Sequence, residues 1–210
     1  MFIQAERLWQ RLHRSEGYTT AELLVAALFG MIVIATLYGF YRDQLFKLLS
    51  QETKTATLED ARGALDIMVR ELRNAGSWGT GSASLGCARV VTATATSIRI
   101  QADLDSNGDC SSATGEDVTY DLSSATSTCP GSIIRRNSNC LVANVVIPMG
   151  LLLFTYYDSS NTQLSSSPSV SSIKRVKITF SVQVPEPTPE GKAAGRNITS
   201  TLSSSVEFRN

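Results

Sequence analysis

Two groups of acidic residues and one set of cysteines carry the chemistry that the residue types of this chain allow. The first acid stands alone. Glu22 sits at the mouth of an apolar run that begins Leu23-Leu24-Val25-Ala26-Ala27-Leu28-Phe29 and reaches Phe40, interrupted by Gly30, Thr36 and Gly39 but by no charge. At a helical rise of 1.5 Å per residue, roughly 18 such residues cover about 27 Å, close to the hydrocarbon thickness of a bilayer. Drawing a carboxylate into lipid costs on the order of 2.5–3.5 kcal/mol, so an acid placed there points to a functional partner.

The second group is Asp103-Leu104-Asp105-Ser106-Asn107-Gly108-Asp109, followed by Glu116-Asp117. Its D-x-D-x-N-G spacing matches the first half of an EF-hand calcium loop, with Gly108 at the sharp turn. The match ends there: the twelfth position is Thr114 instead of a bidentate acid, and no helical pattern flanks the loop. Two readings stay open. Asp103, Asp105, Asn107, Asp109 and Glu116 form a calcium site outside the EF-hand fold, or the stretch is an Asx-rich turn, since Asp, Asn and Gly dominate turns in any case.

Cys87, Cys110, Cys129 and Cys140 all lie beyond the apolar run. No C-x-x-C or Cys/His cluster is present and His13 is the single histidine, which argues against a zinc site. Arginines precede the run (Arg7, Arg11, Arg14) and orient that end toward the cytoplasm, leaving the cysteines in an oxidising compartment. Disulfides are therefore expected, and four cysteines permit three pairings among which sequence does not choose.

These groups need elements to position them, and the 210 residues allow one ordinary domain plus an extension. Lysine and arginine total 19, as do aspartate and glutamate, so no global field selects nucleic acid or an acidic partner. Helix is predicted to continue past the apolar run. No proline occurs between Arg42 and Arg73, and Leu58, Ala61, Leu65, Met68 and Leu72 recur at alternating spacings of three and four. Asn74-Ala75-Gly76 reads as the stop. The predicted helix is about 55 residues, roughly 85 Å long.

Strands are predicted at 88–94, 97–102, 118–122, 133–136 and 151–157, with a further apolar stretch at 141–147. The pattern is clearest in 174–184, where Val176, Ile178, Phe180, Val182 and Val184 alternate with Arg175, Lys177, Thr179, Ser181 and Gln183. Residues 197–209 repeat it with Ile198, Leu202, Val206 and Phe208 inward. Period-two alternation predicts an antiparallel sheet with one buried and one solvated face, and the helix stripe is the available cover. The expected class is α+β.

Gly17-Tyr18, then Glu22 as the fifth residue counting from Tyr18, then an apolar helix, resembles the processing site of type IV prepilins. The resemblance implies a pilin-like fold: a long N-terminal helix, its first half transmembrane and its second amphipathic, packed on an antiparallel β-sheet. It implies a cleaved leader at 1–17, a transmembrane and assembly helix at 18–41, an amphipathic helix at 42–76 and a β-rich head at 77–210. A prepilin peptidase would cut between Gly17 and Tyr18 and methylate the new N-terminus of Tyr18. That cut creates a cationic amine beside lipid, which Glu22 can neutralise in its own or a neighbouring subunit. Pairing the two charges is favourable relative to leaving each alone, and so specifies where one helix docks on the next. The competing readings of this segment are an uncleaved signal anchor and an ordinary secretory signal, whose h-region would be shorter.

Tyr156-Tyr157-Asp158, Ile173-Lys174-Arg175-Val176 and Val206-Glu207-Phe208-Arg209-Asn210 are similar to PilW-type minor pilins, subunits that prime or cap a pilus. The resemblance implies a structural protein and no enzyme. The chain would sit in the inner membrane before assembly and on the cell surface afterwards. Its partners would be other pilins and minor pilins, the peptidase, the inner membrane and the assembly platform. A J-type pseudopilin of a type II secretion system and a membrane-anchored periplasmic binding or adhesion module are the alternatives. DNA is not an expected partner, because no aromatics interleave with Arg135-Arg136 or Lys174-Arg175-x-Lys177.

Overall fold

The structure is a computed structural model that describes residues 18–78, 86–110, 115–127, 129–186, 191 and 194–208. The leader with Gly17, most of the 77–86 loop, Thr114 and residues 187–190 lie outside the described residues. Helix α1 spans Thr20–Asn74 without a break at Gly30 or Gly39. The chain divides into two units, residues 1–48 and 49–210.

In the first unit every described apolar side chain from Leu23 to Phe40 is exposed. This stretch has a mean hydropathy of 2.4 and is long and apolar enough to cross a membrane. The Thr36 hydroxyl donates back to the Val33 carbonyl at 2.8 Å, so its polar group is satisfied within the helix. Charge resumes with Arg42 and Asp43, and Asp43 pairs with Lys47 one turn on at 2.8 Å.

In the second unit Ala61, Ala64, Leu65, Met68 and Leu72 form the buried stripe of α1, as the three-four spacing predicts, with Leu58 partly buried beside them. The helix ends at the expected stop. The Ala75 N–H still reaches the Glu71 carbonyl, and Gly76 then turns the chain at φ +78°. A Cβ at Gly76 would lie 2.9 Å from the Arg89 side chain, so glycine is required here for both backbone and space.

Among the described residues the strands form two antiparallel sheets rather than one. The first runs in sequence order: β1 (Val90–Ala93), β2 (Ser97–Gln101), β3 (Asp117–Ser123), β4 (Ile133–Arg136) and β5 (Asn139–Val142). The β4–β5 hairpin turns through Asn137 and Ser138, both at positive φ, the two-residue turn whose twist suits a hairpin. The second sheet centres on β8 (Arg175–Pro185). On one edge of β8 lie β7 (Phe154–Tyr157) and β6 (Val145–Val146), and on the other lies β9 (Asn197–Glu207).

Two expectations are corrected by this arrangement. The apolar stretch 141–147 splits into β5 and β6, because Asn144 takes a positive φ and moves the chain from one sheet to the other. The polar face of β8 is not wholly solvated, since Thr179 and Ser181 are buried. Short side chains on a central strand are shaded from both edges, and the Ser181 hydroxyl is satisfied by Thr201 at 2.6 Å.

One apolar cluster joins the helix stripe to Ile98, Ile100, Val118 and Ile134 of the first sheet and to Phe154, Val176, Ile178, Phe180 and Val206 of the second. Tyr156 bridges the sheets, its hydroxyl donating to the Thr94 carbonyl at 2.7 Å. Among the described residues all cysteines are paired, Cys87 with Cys110 and Cys129 with Cys140, at Cα separations of 6.1 and 6.5 Å.

Candidate functional site

Two places hold the residues singled out from sequence: the start of α1 and the loop between β2 and β3. At the first, Tyr18 is exposed and precedes the helix, while Thr19 occupies the N-cap. The Glu22 N–H donates to the Thr19 hydroxyl oxygen at 3.3 Å, and the Leu23 N–H reaches the Thr19 carbonyl at 3.2 Å. Glu22 is thus the third helical residue after a threonine cap, the T-x-x-E order of a capping box. Sequence reading gave Glu22 one task, meeting an amine. The structure adds a second: a carboxylate in the first turn also faces the positive end of the helix dipole. The T-x-x-E order was the signal that could have revealed it.

At the second place, the β2–β3 ladder brings the loop ends together. The Ala102 N–H donates to the Glu116 carbonyl at 2.9 Å, and the Asp103 N–H donates to the Ser77 carbonyl just after the helix. Asp103 and Glu116 are both buried, and one carboxylate oxygen from each lies within 4.8 Å of one from the exposed Asp105. The five expected ligands divide. Asp103, Asp105 and Glu116 converge, Asn107 touches them through its side-chain amide, which donates to Asp105 at 3.1 Å, and Asp109 is not among the converging acids. The Asn107 N–H donates to Asp105 at 3.1 Å, and the Asp109 N–H donates to the Asn107 side-chain oxygen at 2.8 Å.

Glu116 accepts from the Leu104 N–H at 3.1 Å, and Asp103 accepts from the Gly108 N–H at 3.2 Å. Ser106 and Gly108 both take positive φ, which curls the loop over its own acids. The Asn107 N–H pulls the Asp105 carboxyl down, but desolvation and the charges of Glu116 and Asp103 outweigh it and raise its pKa. Oxygen ligands at about 2.3–2.6 Å from a calcium ion lie up to about 5 Å from one another, so three oxygens within 4.8 Å fit a hard divalent cation. With no cation, the same oxygens repel.

A third cluster was not foreseen. Glu71 of α1 receives three hydrogen bonds from the Arg136 guanidinium of β4, the shortest at 2.7 Å, and a fourth from the Tyr120 hydroxyl of β3. Burial, then the Glu71 carboxylate, push the Tyr120 hydroxyl pKa well up, so it stays a donor. This cluster ties the helix end to β3 and β4 of the first sheet. Nothing in the spacing of residues 71, 120 and 136 announces it. Glu59 and Asp66, which could be mistaken for an acid/base pair, are exposed on the outer helix face.

Compared with known proteins, the chain matches no protein-family model, no curated protein and no solved structure.

Proposed function

We propose that this chain is a structural subunit of a type IV pilus, a minor pilin that primes or caps the fibre after a prepilin peptidase cuts between Gly17 and Tyr18. The observation that carries the reading is the start of α1. A lone carboxylate stands in the first turn of an exposed apolar helix, and that helix continues without a break into a disulfide-bearing α+β unit. An apolar surface of this kind needs lipid or other helices around it. A fibre supplies the second when the subunit leaves the first.

In this mechanism the subunit waits in the inner membrane with its head outside. The assembly platform brings its helix against those of other pilins, whose apolar side chains replace lipid. Glu22 sets the axial register by meeting the methylated amine of a neighbouring subunit, and the sheet surfaces select which neighbours are accepted. The reading needs no enzymatic group and no cofactor.

Mass measurement of the protein from sheared surface fibres tests it. The expected N-terminal residue is a methylated Tyr18. Protein that still begins at Met1 refutes processing and leaves an anchored binding module. Processed protein from a strain whose deletion abolishes secretion but not pili points to the pseudopilin.

A further inference from the structure

Strand β9 ends the second sheet with an open edge. Its register against β8 runs through eleven pairs without a shift, from Arg175 opposite Glu207 to Pro185 opposite Asn197. The Phe208 N–H donates to the Lys174 carbonyl at 2.9 Å, which fixes the phase of the ladder. Backbone groups of an antiparallel strand alternate between its two edges. Ile198, Ser200, Leu202, Ser204 and Val206 therefore turn theirs toward β8. Thr199, Thr201, Ser203, Ser205 and Glu207 turn theirs away, and among the described residues no strand pairs with that outer edge.

Proteins blunt such edges with lysine, proline, a bulge or a short strand. Residues 197–207 contain no lysine, no proline and no bulge, and no strand among the described residues is longer. The charge pattern indicates what the edge is built to meet. An exposed Arg196 stands at the start, Glu207 at the end, and every residue between is neutral. A second β9 laid antiparallel brings each acid to the basic end of the other strand. A parallel copy would set acid on acid.

We propose that the outer edge of β9 pairs, antiparallel and about a two-fold axis, with the same edge of a second copy of this chain. The register that places Leu202 opposite Leu202 satisfies the pattern. It sets Thr201 against Ser203, Thr199 against Ser205, and Glu207 against Asn197 with Arg196 adjacent. Hydroxyl pairs are stabilising cross-strand neighbours, and a self-complementary patch is what a two-fold contact requires. The proposal stands on the edge and its charges, independently of whether the chain is a fibre subunit.

Two variants of the full chain in detergent, with a third as control, test it. In the proposed register the two copies of residue 202 form a non-hydrogen-bonded pair with Cα atoms about 4.5 Å apart, within the range a disulfide spans. Leu202→Cys is expected to give a covalent dimer on mild oxidation, the native cysteines being already paired, while Ser171→Cys, exposed and outside β9, gives none. Ser203→Pro removes an N–H that points outward and spares the β8 ladder. It is expected to keep the thermal midpoint and weaken association at least about tenfold. Cross-linking of Leu202→Cys no better than Ser171→Cys overturns the proposal. So does a dimer that Ser203→Pro leaves unchanged. If Ser203→Pro fails to fold, the cysteine pair decides alone.

Discussion

Capping and charge pairing at the helix mouth can be separated by two substitutions. Glu22→Gln keeps a group at the third helical position that can serve a capping box, but removes the charge. Thr19→Ala keeps the charge but removes the oxygen that accepts the Glu22 N–H at 3.3 Å. Loss of a threonine cap costs about 1 kcal/mol, felt in the first turn, and the long helix beyond it stays intact. Loss of a hydrogen bond between charged groups costs about 2 kcal/mol, which corresponds to roughly thirtyfold in an assembly equilibrium. The assay is the fraction of subunit recovered in sheared fibres relative to the membrane, by immunoblot, in the native host. Glu22→Gln is expected to lower that fraction by the larger factor and Thr19→Ala by severalfold at most. Glu22→Ala, which loses both contributions, is expected to be lowest. Wild-type incorporation of Glu22→Gln would refute the pairing argument, and equal losses in Glu22→Gln and Thr19→Ala would assign the acid to capping alone.

Other consequences concern the second unit and are read on the full chain in detergent. Met68 is fully buried under both sheets, so Met68→Ala is expected to lose about 2–5 kcal/mol in denaturant unfolding. The Arg99 guanidinium, hydrogen-bonded to Asp117 at 2.8 Å, holds that carboxyl below its ordinary range, with a smaller pull from Gln101. A depressed folded pKa gives stability that is complete above the unfolded carboxylate value and is lost as pH falls through the folded one. Arg99→Gln is therefore expected to flatten the acid limb of a midpoint-versus-pH curve. Asp105 has the opposite sign. Its raised pKa means stability present at low pH and lost as pH rises through the folded value, so Asp105→Asn is expected to raise the midpoint at neutral pH without divalent cations. Calcium and chelator, compared on wild-type protein, distinguish the two readings of that loop. A cation site shows a higher midpoint with calcium and a lower one with chelator, whereas a bare turn shows neither shift.

Much of the backbone plan was legible because its signals are local. The three-four recurrence of Leu58, Ala61, Leu65, Met68 and Leu72 predicted the face that α1 buries, and Asn74-Ala75-Gly76 predicted where it stops. Alternation predicted β8 and β9 nearly to their ends. What alternation does not contain is the number of sheets. A single positive-φ residue, Asn144, divides an apolar stretch that reads as continuous, and places β5 in one sheet and β6 in the other. The candidate sites follow the same division. The D-x-D-x-N-G order marked the loop, but only the pairing of β2 with β3 brought Glu116 to Asp103 and Asp105.

The sequence by itself determined one exposed apolar helix with a single acid at its mouth, the amphipathic extension of that helix, and strands of alternating polarity. Those features follow from fixed residue periods that any stretch expresses without knowing its neighbours. Only the tertiary structure decided which cysteines pair, that two sheets share one core under the helix, and that Glu71, Tyr120 and Arg136 meet. Each of these joins residues far apart in the chain, and their meeting is set by register and crossover, which no local pattern encodes.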